Sequence, residues 1–130
     1  MILLDTSLLV EALTGRRRSA SALSGAITRG ERLGLSTLVL YEWLRGPRNE
    51  TELRDQEALL PASAALPFGT SEATIAAALY RRVARSRQRE RDLAIAAVAI
   101  AHDAALWTLD AGDFRDIPGL QLYTAPTSRG

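Results

Sequence analysis

A chain of 130 residues, 47% of them hydrophobic and with a net charge of +1, has the size and apolar mass of one folded domain, which excludes global disorder and leaves little room for a second domain. The lack of cysteine excludes disulfides and thiolate metal sites, and a single histidine, His102, argues against an imidazole zinc site. All sixteen basic residues are arginine, so chemistry that needs a lysine is excluded, and the near-neutral sum leaves no global field to draw in nucleic acid.

Ile2-Leu3-Leu4 is a short apolar run that ends at Asp5 and reads as a first, buried strand. The start reaches an acid at once and lacks a basic n-region, so no secretion signal is expected. A helix is expected to begin around Leu8 to Leu13 and to break at Gly15, ahead of Arg16, Arg17 and Arg18. A second helix follows from Ser19 to Arg29, with Gly30 as its stop. Leu33 to Ser36 fits a second strand. Ser36 or Thr37 can cap the next helix, which carries Leu38, Leu40, Tyr41, Glu42 and Leu44 and ends at Gly46-Pro47. Asn49 to Glu52 resembles a capping box before another helix, which Pro61 stops.

Ala65 to Phe68 reads as a weak third strand, and Pro67 places it at an edge. Ser71 is expected to cap a long helix in which Ile75, Leu79 and Val83 keep helical spacing. Arginines at 81, 82, 85, 87, 89 and 91 crowd its later turns. Asp92 opens a strongly apolar helix to about Ala104, and its run from Leu93 to Ala101 is far short of a membrane span. Leu106 to Leu109 is a strand ending at Asp110, Gly112-Asp113-Phe114 a turn, and Leu120 to Tyr123 a final strand. The expected domain is residues 1–125, with a frayed tail over 126–130. Strands alternate with helices, so the natural architecture is α/β, a parallel sheet covered by helices. A soluble, cytoplasmic protein is expected.

Open parallel sheets place their sites beyond the carboxyl ends of the strands. Asp5 and Asp110 each follow a strand directly, and if those strands are neighbours both carboxylates enter one crevice. Asp92 stands at a helix start on the same edge. Glu42 lies mid-helix among apolar residues, where a carboxylate is costly unless paired. Four acids converging without lysine or histidine would repel one another. A hard divalent cation resolves that conflict, and oxygen-only ligands select Mg²⁺ or Mn²⁺. Each acid alone also has an ordinary role open to it: a turn residue at Asp5, Asp110 or Asp113, an N-cap at Asp92, an exposed helix position at Glu42. The argument rests on the set.

Four segments in order carry a resemblance. Leu3-Leu4-Asp5-Thr6-Ser7 resembles the opening motif of PIN domains. Leu38 to Gly46 resembles the family's helix that bears a glutamate. Arg91-Asp92-Leu93-Ala94-Ile95-Ala96-Ala97 resembles its D-x-x-I-A-A helix, and Thr108-Leu109-Asp110-Ala111-Gly112-Asp113-Phe114 its T-x-N/D-x-x-D-F motif. The resemblance spans Ile2 to about Tyr123. It implies a three-layer α/β/α sandwich with a mostly parallel central sheet. It further implies a metal-dependent endoribonuclease, with Asp5, Glu42, Asp92 and Asp110 as catalytic acids. Metal ligands fall on Asp5, Asp92, Asp110 and Asp113; which of the last two touches metal, and whether one or two ions bind, stays open. Thr6 and Thr108 resemble hydroxyls that line the pocket. The cation implied is Mg²⁺, with Mn²⁺ as a substitute.

In length the chain resembles the toxin half of VapBC toxin–antitoxin pairs. That implies an RNA substrate, a VapB-like antitoxin, and a homodimer or larger assembly. Surplus apolar surface on the Leu8 to Leu13 and Leu38 to Leu44 helices could receive a partner's helix or could be ordinary core. The arginine run reads either as a phosphate-binding edge or as a solvated helix face. Trp43 and Trp107 read as core, and His102 as a helix-end residue. The alternative within the fold is a catalytically inactive PIN-like RNA- or protein-binding module, against which the full set of acids argues. Haloacid dehalogenase-like phosphatases and phospho-receiver domains also place an aspartate after a first strand. The former want a second aspartate where Ser7 stands, and both normally use a lysine.

Overall fold

A short run of consecutive apolar residues suits a strand covered on both faces. Ile2, Leu3 and Leu4 meet that condition in the computed structural model, which describes residues 1–126. They form β1 (Ile2–Leu4), buried throughout. β1 lies between β2 (Leu33–Gly34) and β3 (Ala105–Trp107), with β4 (Gln121–Leu122) beyond β3, so the sheet order is β2-β1-β3-β4 and every pairing is parallel. The register sets Leu4 beside Trp107. The residues that follow, Asp5 and Thr108, therefore leave the sheet together at its carboxyl edge.

Six α-helices among the described residues cover this sheet in an α/β/α arrangement: α1 (Thr6–Leu13), α2 (Ala20–Thr28), α3 (Thr37–Arg45), α4 (Glu50–Leu59), α5 (Thr70–Arg82) and α6 (Glu90–Ala101). α6 buries Leu93, Ile95, Ala96, Ala97, Val98 and Ala99, so it is apolar around most of its circumference and sits deep in the core. Of the caps read from sequence, those at Ser36 and Asn49 are present; Ser71 lies inside its helix, whose N-cap is Gly69, with the Gly69 N–H donating to Glu72 Oε1 at 2.9 Å. Ser36 Oγ accepts from the Val39 N–H at 3.1 Å. Asn49 and Glu52 form a reciprocal capping box at 2.8 and 2.9 Å. Gly30, at φ +84°, ends the second helical segment in a conformation that favours glycine. Trp43 and Trp107 are both core, and Trp107 packs against Tyr123 with ring centroids 4.8 Å apart.

Three expectations are corrected. The strand over Ala65 to Phe68 shrinks to one parallel bridge between Ser36 and Leu66. Leu66 gives its N–H to Leu35 and takes that of Thr37, both at 2.9 Å, and Pro67 has no N–H with which to extend the ladder. Secondly, the arginine run does not lie along one helix. α5 starts at Thr70 and stops at Arg82, Val83 is extended, and the chain passes through Arg85 at φ +52° and a 3₁₀ turn (Ser86–Arg89) before α6. Val83 is nonetheless packed against the core; the helical spacing reported its burial, not its backbone angles. Thirdly, α6 begins at Glu90, two residues before Asp92, and ends at Ala101 because Asp103 turns left-handed at φ +51° to feed β3. The strands are also shorter than read, since Thr108 and Leu109 leave the sheet for the site described next. Of the tail, Thr127 to Gly130 lie outside the described residues.

Candidate active site

Asp5 caps α1 at the end of β1, and its backbone N–H donates to the Trp107 carbonyl at 2.9 Å. Its side chain is 1% exposed. A buried carboxylate needs hydrogen-bond donors, and two hydroxyls supply them. Thr108 Oγ1 donates to Asp5 Oδ2 at 2.7 Å and Ser7 Oγ to the same oxygen at 3.3 Å. Thr108 Oγ1 in turn accepts the Asp110 N–H at 3.0 Å, and Ser7 Oγ accepts the Leu109 N–H at 3.1 Å. One oxygen of Asp5 is thus held by the residue after β3 and by one in the first turn of α1. The other, Oδ1, faces Arg91 Nη2 at 3.5 Å.

Glu42 projects from α3 toward the same point. Its Oε1 accepts from Thr6 Oγ1 at 2.6 Å and from Arg91 Nη2 at 2.8 Å, and its Oε2 accepts from Arg91 Nε. Asp92, the third residue of α6, takes Arg91 Nη1 at 2.5 Å. Acids in a helix's first turn suit the helix dipole. Three carboxylates from the β1–α1 junction, α3 and α6 therefore bracket a single guanidinium. Their electrostatics diverge. Burial pushes the Glu42 carboxyl up, but the hydrogen bonds from Arg91 and Thr6 with the charges of Arg91 and Arg45 prevail and hold it below its ordinary value. Asp92 lies above its ordinary value because burial, with Asp5 and Asp113 nearby, outweighs Arg91. Hydrogen bonding to Glu42, reinforced by the charges of Asp5, Glu42 and Asp92 against the cost of burial, raises Arg91 and keeps it charged.

The remaining two acids line two different pockets. Asp113 follows the turn after β3 and shares a polar pocket with Asp92, Arg85 and Asp116. Arg89 fixes that wall, pairing with Asp116 through both carboxylate oxygens at 2.5 and 2.9 Å and donating to the Asp113 carbonyl at 3.0 Å. Asp110 is exposed and borders a separate shallow pocket with Ser7, Glu11 and Arg16, Arg17 and Arg18. The structure brings together Asp5, Glu42 and Asp92 around Arg91, sets Asp113 beside Asp92, and leaves Asp110 apart. Among the described residues, no three acids stand close enough for a ready-made metal cage. The donor chemistry still fits a hard divalent cation: the ligating atoms are all oxygen, and a positive charge already sits among them.

The sequence model described as "PIN domain" matches residues 2–120. The chain belongs to the PIN domain family. Its resemblance to VapC-type members holds as well. It is 37% identical over 123 residues to "Ribonuclease VapC19" of Mycobacterium tuberculosis, covering 93% of this chain and 98% of that protein. Among solved structures, VapBC2 from Rickettsia felis, bound to a DNA fragment from their promoter, shares the fold at a TM-score of 0.74 and 24% identity, over 95% of this chain and 98% of that one. FitAcB from Neisseria gonorrhoeae matches at a TM-score of 0.71 and 25% identity, over 95% and 97%.

Two contributors to this PIN domain's site escape a sequence reading. Arg91 reads as one more member of an arginine run, yet it turns inward to the acids. The signal was the acids themselves: converging carboxylates need a counter-charge, and Arg91 adjoins Asp92. Ser7 reads only as an absent second aspartate, yet it sits in the first turn of α1 where its hydroxyl meets Asp5. The rest of the run divides. Arg89 is committed to Asp116, whereas Arg81, Arg82, Arg85 and Arg87 are exposed. Of the two helices with surplus apolar residues, α1 buries Leu8, Leu9, Ala12 and Leu13, while α3 leaves Tyr41 63% and Leu44 53% exposed. His102 caps the end of α6 near Glu72, at 3.9 Å. No helix among the described residues is long and apolar enough to cross a membrane.

Proposed function

We propose that this PIN domain, residues 1–125, is a metal-dependent endoribonuclease that hydrolyses RNA phosphodiester bonds, and that it is the toxin of a type II toxin–antitoxin pair. The observation that carries the reading is the convergence of Asp5, Glu42 and Asp92, from three separate elements, on one point at the carboxyl edge of the sheet. The ribonuclease name of its M. tuberculosis relative supports the reaction. A Klebsiella pneumoniae toxin–antitoxin complex, similar at 25% identity and a TM-score of 0.70, supports the partner.

Asp5 and Asp92 are the principal ligands for Mg²⁺, which Mn²⁺ can replace. Asp113 shares a pocket with Asp92 and is better placed than Asp110 to join them; Glu42 completes the negative charge. When bound, the cation supplies a polarised water and charge stabilisation on the phosphate. The protein's own part is positional. Thr108 and Ser7 hold Asp5 in one rotamer, so that Oδ1 faces the site. Thr6 orients Glu42. Arg16, Arg17 and Arg18 on the Asp110 side and Arg85 on the Asp113 side give an RNA backbone cationic ground on both flanks of an acidic centre. The exposed Tyr41 and Leu44 of α3 are apolar surface for a VapB-like antitoxin or for a second copy in a homodimer or larger assembly. The protein acts in the cytoplasm, where its RNA substrates are.

The test is cleavage of a mixed RNA substrate by the purified chain in Mg²⁺ or Mn²⁺, with and without EDTA. Cleavage that chelator stops, and that Asp5→Asn lacks, is the expected result. Equal cleavage in EDTA, or none with either metal, rejects the assignment and leaves a binding module.

A further inference from the structure

Arg91 is the second residue of α6, and its side chain lies 46% exposed at the mouth of the site. It nevertheless directs all of its donors inward. Nε and Nη2 go to Glu42, Nη1 to Asp92, and Nη2 also reaches Thr6 Oγ1 at 3.4 Å and Asp5 Oδ1 at 3.5 Å. A planar fork with donors on several edges can satisfy carboxylates on different sides at once, which an ammonium cannot. Two of the carboxylates it engages, Asp5 and Asp92, are the principal ligands that the proposed reaction assigns to a divalent ion, and the third, Glu42, completes the negative charge around it.

We propose that Arg91 is a built-in counter-cation that occupies the divalent-metal position, so that a metal ion loads only when the guanidinium withdraws. The inference rests on the metal-dependent reading above. Three features carry it. The guanidinium contacts the carboxylates of Asp5 and Asp92, which the ion would need. Two cations cannot share them, because the repulsion between them grows as the site dries. The arginine's half-exposed stem gives it a way out to solvent, whereas Asp5, 1% exposed and tied to two hydroxyls, cannot move aside. Because the acids are spaced around a guanidinium, they do not form a ready cage; withdrawal of Arg91 lets Asp92 and Glu42 close on the smaller ion.

The consequence is a reduced apparent affinity. A site open only a fraction of the time binds more weakly by that fraction. A guanidinium seated about nine-tenths of the time weakens metal binding about tenfold. The expected result is therefore that Arg91→Ala tightens Mn²⁺ binding by about tenfold or more, read by the loss of the free Mn²⁺ paramagnetic resonance signal without any RNA present. Arg91→Gln is a second variant that keeps a polar side chain should the alanine variant fold poorly. Arg45→Ala is the control: it removes a positive charge 3.8 Å from Glu42 that does not sit among the three acids.

Tightening at position 91 with little change at position 45 supports the counter-cation. Equal tightening in Arg45→Ala means that bulk charge sets the affinity and overturns it. Mn²⁺ binding by the unaltered chain that both Arg91 variants leave unchanged or weaken also overturns it, while the metal-dependent reading survives. No Mn²⁺ binding by any variant overturns both.

Discussion

Thr108 is where the two central strands and the buried acid meet, so Thr108→Val tests whether Asp5 is held as described. Valine keeps the β-branched shape and the packing, and removes only the hydroxyl. That hydroxyl donates to Asp5 Oδ2 at 2.7 Å and accepts the Asp110 N–H at 3.0 Å. A hydrogen bond to a charged group contributes about 1.5–3 kcal/mol. The Ser7 hydroxyl remains on the same oxygen at 3.3 Å and offsets part of the loss, and Asp110 is exposed, so its N–H turns to water at little cost. The net loss is about 2 kcal/mol, which for a domain of this size lowers Tm by about 7 °C. Thr108→Ser keeps the hydroxyl and gives up one methyl group, at less than about 1 kcal/mol. The assay is thermal unfolding of both variants beside the parent chain at neutral pH without added metal. RNA cleavage measured alongside should fall about 10- to 100-fold in the valine variant, because Asp5 gains a second rotamer and loses its alignment. Equal melting of the valine and serine variants would mean that the hydroxyl is not what holds Asp5, and the account of the site would fail.

Asp5→Asn should abolish cleavage while leaving the melting profile cooperative, since an amide oxygen can still accept from Thr108 and Ser7; a fully active variant rejects the assignment. Arg85→Ala should weaken RNA binding and flatten the slope of log K against log salt by about 0.7 for one lost phosphate contact on a single strand; an unchanged slope removes Arg85 from the RNA path. Acid stability carries a signature of Asp116. The hydrogen bonds from Arg89 hold its carboxyl below its ordinary value, against the opposing effect of burial. Its folded pKa therefore lies below its unfolded one, so its contribution is fully present above about pH 4 and is lost as pH falls through the folded value. Melting temperatures of Asp116→Asn measured down the acid limb should lack that component, and a limb identical to the parent's would refute it.

The parallel sheet and the meeting of Asp5, Glu42 and Asp92 at its carboxyl edge were legible because each leaves a mark in one dimension. An apolar run stopped by Asp5, another stopped near Asp110, and helix caps at Ser36 and Asn49 fix where strands end and helices begin. What was illegible depends on contacts between distant segments. Adjacency to Asp92 is the one local mark that separates Arg91, turned into the acids, from Arg87, exposed to solvent; most of the difference is made by Glu42, 49 residues away in sequence. The misplaced end of α5 has the same origin. Val83 is half-buried against the core, and burial periodicity outlasts the helix that began it. The strand over Ala65 to Phe68 failed for a different reason, since composition met a backbone rule: Pro67 ends the ladder after one bridge.

The division of labour among the acids follows from the elements that bear them. Asp5 is fixed by the parallel register of β1 and β3 and by two hydroxyls on Oδ2, so its position is as rigid as the sheet, and Arg91 faces only its other oxygen, at 3.5 Å. Glu42 and Asp92 project from helices, where nothing in the backbone compels their convergence, and Arg91 supplies the force that draws them in. Burial raises Asp92 and works the same way on Glu42, where Arg91 is the main opposing group, so removing the cation makes it costlier to keep both carboxylates charged side by side. Local stability thus asks for a positive charge at the point where the proposed chemistry asks for a divalent ion. A residue that serves the first need obstructs the second. That conflict is expected where a site is shaped for a ligand that comes and goes, and it ties the folding energetics of α6 directly to the loading of the site.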